Sequence, residues 1–271
     1  MIPNKLNRQQ GFSIIELMIA TTLGIALTGA AIQFMLSSNQ TYNLNDDLSR
    51  VQENGRVALD ILAKDIRRGG YQEDLRGTKP FVVFDDCASA PDQCAKDGAG
   101  NDSDRLPIQY AASSSINTDC LGGSPTSVVG GSATDLIANV YYIDDPEGDG
   151  ISSLYCRGFN VEQGAVISAG QPLVDGIDRM QVLYRIQETT SDSGEYKSYD
   201  RLTSDDKANI TAIRIGLLVS NGLTTGRAKA ETKEYQLLDS GSTVSVANDT
   251  QLRRIYTTTI QLSNRYAGDT Q

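Results

Sequence analysis

After eleven mixed residues the chain turns apolar, and Phe12 to Leu36 runs for 25 residues with a single charge, Glu16. As a helix rising about 1.5 Å per residue this run is about 37 Å long, enough to cross a hydrocarbon core of about 30 Å. The pattern then changes. From Asn39 onward polar residues enter, yet Leu44, Leu48, Val51, Ala58, Leu62 and Ile66 recur at steps near 3.5 residues, with Gly55 filling the gap. Asp46, Asp47, Arg50, Glu53, Arg56, Asp60, Lys64 and Arg67 occupy the opposite face, and Gly69-Gly70 supplies a stop. The pattern predicts one helix from Phe12 to about Arg68, apolar over 12–36 and amphipathic over 37–70. The apolar half lacks proline, so Gly24 and Gly29 are its expected flexible points.

Beyond Tyr71 the helical period is lost. Short β-branched or aromatic runs alternate with Gly, Ser, Thr and Asp, which reads as strand and loop. The expected strands are Pro80–Phe84, Arg105–Tyr110, Leu136–Asp144, Ile151–Cys156, Met180–Gln187, Thr211–Ser220 and Arg254–Leu262. In the sixth, Ile213, Ile215, Leu217 and Val219 alternate with Arg214, Gly216 and Leu218, the period of a half-buried strand. One antiparallel sheet packed on the amphipathic half of the helix is the expected architecture. That is an α+β head over 71–271 behind a segment 1–11, an apolar segment 12–36 and an amphipathic segment 37–70.

At 271 residues the chain can bury a core. Its 24 Lys and Arg against 34 Asp and Glu give a net charge of −10, which argues against a nucleic-acid partner. Histidine and tryptophan are absent, and with histidine go the commonest general base and the Ser-His-Asp and Cys-His arrangements. No paired carboxylate sits in a recognisable nucleophile or phosphate-loop context, so the chain reads as a non-enzyme. The four cysteines, Cys87, Cys94, Cys120 and Cys156, are even in number and too irregularly spaced for a CxxC metal knuckle. Two disulfides in an oxidising compartment follow. A Cys120–Cys156 bridge would tie a loop onto the hairpin around residues 144–150 and leave Cys87 for Cys94, but all three connectivities remain open.

Glu16 is the anomaly. An ionisable group in a lipid-facing helix costs on the order of 2.5–3.5 kcal/mol at the bilayer centre, so it is expected to serve a partner. Residues 1–11 carry Lys5 and Arg8 and no acid, a flank that stays cytoplasmic. A secretory signal would have a shorter apolar region and a small-residue cut site, whereas Ala30-Ala31 is followed by more apolar sequence. Were the leader removed after Gly11, the new amine on Phe12 would lie one helical turn from Glu16. The two could neutralise each other within a chain, or between neighbouring chains and so set their axial register.

Gly11-Phe12-Ser13-Ile14-Ile15-Glu16-Leu17 resembles the class III signal of type IV pilins and type II secretion pseudopilins. The resemblance implies a prepilin peptidase that cuts between Gly11 and Phe12 and methylates Phe12, with Glu16 as the assembly carboxylate. Four runs in the head are similar to PilW-type minor pilins, relatives of J-type minor pseudopilins. They are Ser103-Asp104-Arg105-Leu106 to Tyr110, Ser153-Leu154-Tyr155-Cys156-Arg157-Gly158, Leu173-Val174-Asp175-Gly176-Ile177 with Met180-Gln181-Val182-Leu183-Tyr184, and Tyr256-Thr257-Thr258-Thr259-Ile260. The resemblance implies a subunit held in the inner membrane through residues 12–36 with its head in the periplasm. It would associate there with other minor pilins, the major pilin and the assembly platform, prime polymerisation and end near the tip of a surface fibre. Two rivals stand beside this reading, a J-type pseudopilin of a type II secretion system and a membrane-tethered periplasmic adhesin or calcium-dependent binding module.

Asp145-Pro146-Glu147-Gly148-Asp149-Gly150 places acids at alternate positions before a glycine, as the start of a calcium loop does. Asp145, Glu147 and Asp149 are therefore candidate calcium ligands, although the twelfth loop position is Cys156 rather than Glu. A solvated hairpin turn explains the same residues, and no cofactor is required. A second acidic cluster, Asp97, Asn101, Asp102 and Asp104, reads equally as a loop.

Overall fold

The protein is described here by a computed structural model covering residues 11–73, 83–98, 102–146, 148, 150–187, 194–222, 231–238 and 243–264. Helix α1 spans Ile14–Arg68, as the apolar run and the stripe behind it predict. The chain divides into two compact units, residues 1–47 and 48–271. The first is the exposed apolar part of α1 with its polar continuation.

In the second unit α1 buries Val51, Gly55, Ala58, Leu62, Asp65 and Ile66. These positions advance by three or four residues, so they share one face. Arg67 and Arg68 lie in the last turn, where cations favour the carbonyl end of a helix. The final carbonyls are also met from outside the helix. Asn264 Nδ2 donates to Arg67 O at 3.0 Å, and Gly70, with φ 72°, turns the chain away.

Among the described residues the head holds two four-stranded antiparallel sheets and a two-stranded ribbon, where one sheet was expected. The first sheet orders β1 (Leu106–Ala111), β2 (Leu136–Asp144), β3 (Ser153–Asn160) and β4 (Ala165–Asp175) as a meander. The second contains β5 (Ile177–Ile186), β6 (Glu195–Lys197), β7 (Ile210–Ser220) and β10 (Arg253–Gln261), in the order β10-β7-β5-β6. Strands β8 (Glu231–Gln236) and β9 (Thr243–Asp249) form the ribbon, and α2 (Ser204–Ala208) precedes β7. Thr203 begins α2 with a capping box, its hydroxyl accepting from Asp206 N while Asp206 accepts from Thr203 N.

The single sheet was a wrong expectation because β4 was missed. It is an edge strand with a single buried residue, Val174, and it contains Gly170 and Pro172, so neither alternation nor composition announces it. Gly176, at φ 73°, then passes the chain from β4 in one sheet to β5 in the other. The expected strand at Pro80–Phe84 lies mostly outside the described residues; its Val83 makes an isolated bridge to Ile108.

One core joins these layers. Val51, Ala58, Leu62 and Ile66 of α1 pack with Leu106, Ile108, Tyr141 and Leu154 of the first sheet and with Ile177, Val182, Ile213, Ile215 and Leu217 of the second. The β1 end of the first sheet is fastened to β5: Asp104 N donates to Met180 O at 2.9 Å, and Val182 N donates to Asp104 Oδ2 at 2.7 Å.

Candidate functional site

The apolar part of α1 is the largest surface in the described residues that water should not wet. Phe12, Ile14, Ile25, Leu27 and Phe34 are each more than 70% exposed, and none of the helix's most apolar stretch is buried within the chain. Its threonine hydroxyls are already satisfied. Thr21, Thr22 and Thr28 donate their hydroxyls to the carbonyls of Leu17, Met18 and Gly24 at 3.0, 2.7 and 2.8 Å. A threonine bonded back to the preceding turn presents only its methyl group and stem, so the hydroxyls add little cost in lipid or against another helix.

The one charged group on this apolar surface is Glu16. It sits exposed in the first turn, where Leu17 N donates to Ser13 O at 3.1 Å and the amides before it have no carbonyl in the helix to meet. A carboxylate in the first turn complements the positive end of the helix, and one turn separates it from Phe12. Gly11 and Phe12 precede the first helical residue and are both exposed, so the Gly11–Phe12 bond lies outside the helix. Residues 1–10 of the expected leader lie outside the described residues.

Within the head, the helix end is locked by a buried polar network that sequence reasoning missed. Asp65, 5% exposed, accepts from Asn139 Nδ2 at 2.9 Å and from Tyr141 Oη at 3.2 Å on the same oxygen. Asn139 also donates to Tyr110 Oη at 3.2 Å and accepts from Cys120 N at 3.0 Å, and Tyr110 donates to Thr118 O at 2.9 Å. Burial pushes the Asp65 carboxyl up; the hydrogen bond from Asn139 and the Arg68 guanidinium, 3.6 Å from the other oxygen, only partly oppose this. The signal was present in the sequence, since Asp65 falls seven residues after Ala58 and three after Leu62, on the apolar stripe.

Cys87 is bonded to Cys94, and Cys120 to Cys156. This is one of the three pairings the sequence left open. The first closes a short loop that packs Phe84, Ala90 and Cys94 on Ala138, Val140 and Phe159, while the second ties the 112–124 loop to β3 beside the Asp65 network.

Of the described members of the acidic clusters, Asp145, Asp97 and Asp104 accept backbone N–H groups, some in their own turn and some from distant segments. Asp145 accepts from Gly148 N at 2.9 Å with one oxygen and from Gly150 N at 3.0 Å with the other. Glu147 and Asp149 lie outside the described residues. In the second cluster, Asp97 accepts from the backbone N–H groups of Tyr199 and Asp200, each at 3.0 Å. Asp104 joins β1 to β5 as above, Asp102 is exposed, and Asn101 is outside the described residues. Among the described residues no group of three or more acids and cysteines converges as metal ligands would.

Residues 140–264 match the family described as Type IV Pilus-assembly protein W, and residues 6–32 match the Prokaryotic N-terminal methylation motif. No curated protein matches the chain. Among solved structures, a type IV-like pilin from Thermus thermophilus is similar at 15% identity over 79% of this chain and 97% of that one, with a TM-score of 0.47.

Proposed function

We propose that this chain, a minor pilin of the PilW type carrying a prepilin signal, takes part in initiating assembly of a type IV pilus and is incorporated near the fibre tip. In this reading residues 12–36 hold the precursor in the inner membrane, with the head in the periplasm. A prepilin peptidase cuts between Gly11 and Phe12 and methylates the new amine. The apolar segment then leaves lipid for a bundle of like helices made by other minor pilins and the major pilin, on the inner-membrane platform. No bound ion is needed for any of these steps.

One observation carries the reading. The chain exposes a long apolar helical surface, and the sole charge on it is Glu16 in the first turn. A tether alone has no use for that carboxylate. Helices that pack side by side do, because pairing it with the methylated amine of a neighbour fixes their axial register and removes both charges from lipid. The match to the pilus-assembly family favours a pilus over a secretion pseudopilus.

The test is Glu16→Ala, scored by the amount of the chain in sheared surface fibres and by pilins co-purified from membranes. The expected result is cleavage as in wild type with loss of incorporation. Normal fibres and normal partners would leave the helix as a tether only and overturn the assembly role.

A further inference from the structure

The 112–124 loop has no strand of its own, and what fixes it is sparse. Among the described residues, two hydrogen bonds join 113–123 to the rest of the chain: Cys120 N donates to Asn139 Oδ1 at 3.0 Å, and Thr118 O accepts from Tyr110 Oη at 2.9 Å. Both end on the network that holds Asp65. The loop's covalent tie is the bridge from Cys120 to Cys156, and Cys156 stands opposite Tyr141, the other donor to Asp65, in the β2–β3 register. Asp119, between the two contact residues, shapes the turn by accepting from Leu121 N at 2.9 Å and Gly123 N at 2.7 Å. It also fills the space that Gly158 leaves by lacking a side chain.

A chain of dependence runs from the bridge to the helix. Asn139 is fully buried, and the Cys120 amide is the donor that meets its Oδ1 while its Nδ2 reaches Asp65. Were the loop to withdraw, Asn139 Oδ1 and the Tyr110 hydroxyl would lose those partners, and the side chains that orient Asp65 would be held less firmly. Leu62 and Ile66 would still pack in the core. The part that loosens is therefore the last turn of α1, not the helix as a whole.

We propose that the Cys120–Cys156 bridge is a redox latch on the last turn of α1. Oxidised, it keeps Cys120 N and Thr118 O at Asn139 and Tyr110; with both thiols reduced, the loop is free to leave and Asp65 is released. Closing the latch passes two electrons and two protons from the thiols to a disulfide-bearing oxidant, which departs as a dithiol. Cys156 is fully buried, so the oxidant meets it while the loop is still open, and docking of the last turn follows oxidation. The other bridge provides the contrast. Cys87–Cys94 lies on the segment packed against Ala138 and Val140, on the opposite face of β2 from Asn139 and Tyr141.

The test is hydrogen–deuterium exchange, read by mass spectrometry on the full chain in detergent. Wild type is compared with Cys120→Ser/Cys156→Ser, with Cys87→Ser/Cys94→Ser, and with wild type reduced by a phosphine after folding, which removes any dependence on whether the serine chains fold. Opening the long bridge by either route is expected to speed exchange at residues 65–70 roughly tenfold while residues 51–58 change less than about twofold. Opening the short bridge should leave 65–70 as they were. In an Asn139→Ala background, where the loop is already cut off from Asp65, opening the long bridge should add no further acceleration. Equal acceleration along α1 would mean that the bridge only stabilises the head as a whole, and would overturn the latch. So would unchanged exchange at 65–70, the same acceleration from the short bridge, or additivity with Asn139→Ala.

Discussion

Tyr256 of β10 lies against Gly55 of α1 so closely that a Cβ on Gly55 would stand 2.7 Å from Cδ2 and 2.9 Å from Cε2 of the ring. This contact explains a glycine in mid-helix. Gly55→Ala is expected to lower stability by up to about 2 kcal/mol, because overpacking of about 1–3 kcal/mol is set against a gain in helix propensity of about 1 kcal/mol. Tyr256 Oη is itself buried without a partner. Tyr256→Phe should therefore be neutral or stabilising by up to about 1 kcal/mol. Urea unfolding of the two variants would show opposite signs; a stabilised Gly55→Ala would refute the close approach.

Asp65 makes one point of the head lose stability as pH rises rather than as it falls. Its carboxyl is raised in the folded state by burial, so folding favours the protonated form. Its contribution is full below the unfolded value near 4 and is lost as pH rises through the folded value. Asp65→Asn keeps an acceptor for Asn139 and Tyr141 and removes the titration. The variant should lose less stability than wild type between pH 4 and neutrality, measured by melting temperature against pH. Asp65→Leu should instead cost about 2–4 kcal/mol at every pH, leaving buried donors unmet.

Arg253 gives the opposite slope. Its guanidinium, 10% exposed at the side chain, bonds Asp178 Oδ2 at 2.6 Å and contacts Asp249, whose side chain is fully buried. Burial acts to raise the Asp249 carboxyl, but the Tyr235 hydroxyl, the Gln251 amide and Arg253 together hold it below its ordinary value. Stability from this group is present above the unfolded value and is lost as pH falls through the folded one. Tyr235 is correspondingly pushed up to about 12 by burial and by its bond to Asp249. Arg253→Met should cost about 3–5 kcal/mol at neutral pH by taking the guanidinium from Asp178 and leaving Asp249 with the more distant Lys233 as its cation. The deficit should shrink in acid, where the Asp249 carboxylate takes up a proton.

The two disulfides should differ in worth. Cys120–Cys156 closes a separation of 36 residues and Cys87–Cys94 one of 7. Loop-closure entropy gives about 3–4 kcal/mol for the first and about 2 kcal/mol for the second. Paired serine substitutions, compared by denaturant midpoint, should rank in that order; the reverse would mean that the short bridge does more than close its loop.

The extent of α1 was legible because two periodic signals, an unbroken apolar run and a 3.5-residue stripe, continue one another. Strand β2 was also legible at its full bounds, Leu136–Asp144, since it is central and apolar. The edge and ribbon strands were not. In β8, Glu231, Lys233 and Glu234 replace the apolar alternation, and in β4 Gly170 and Pro172 interrupt it, because neither strand has two faces to bury. At the amino end, Gly11, Phe12 and Glu16 stood out through spacing and chemistry. Asp65 and Asn139 did not, since each is ordinary in type and becomes unusual only once its surroundings are buried.

The last strand also sets a timetable. Asn264 meets the end of α1 across 197 residues of sequence, and Tyr256 covers Gly55 across a similar span. A chain made from its amino end at about 5–20 residues per second therefore leaves this helix face uncovered for about 10–40 s. During that wait the helix can be anchored, but the head cannot close, so completion of β10 is the event that separates a tethered, unfinished subunit from one fit to join its neighbours.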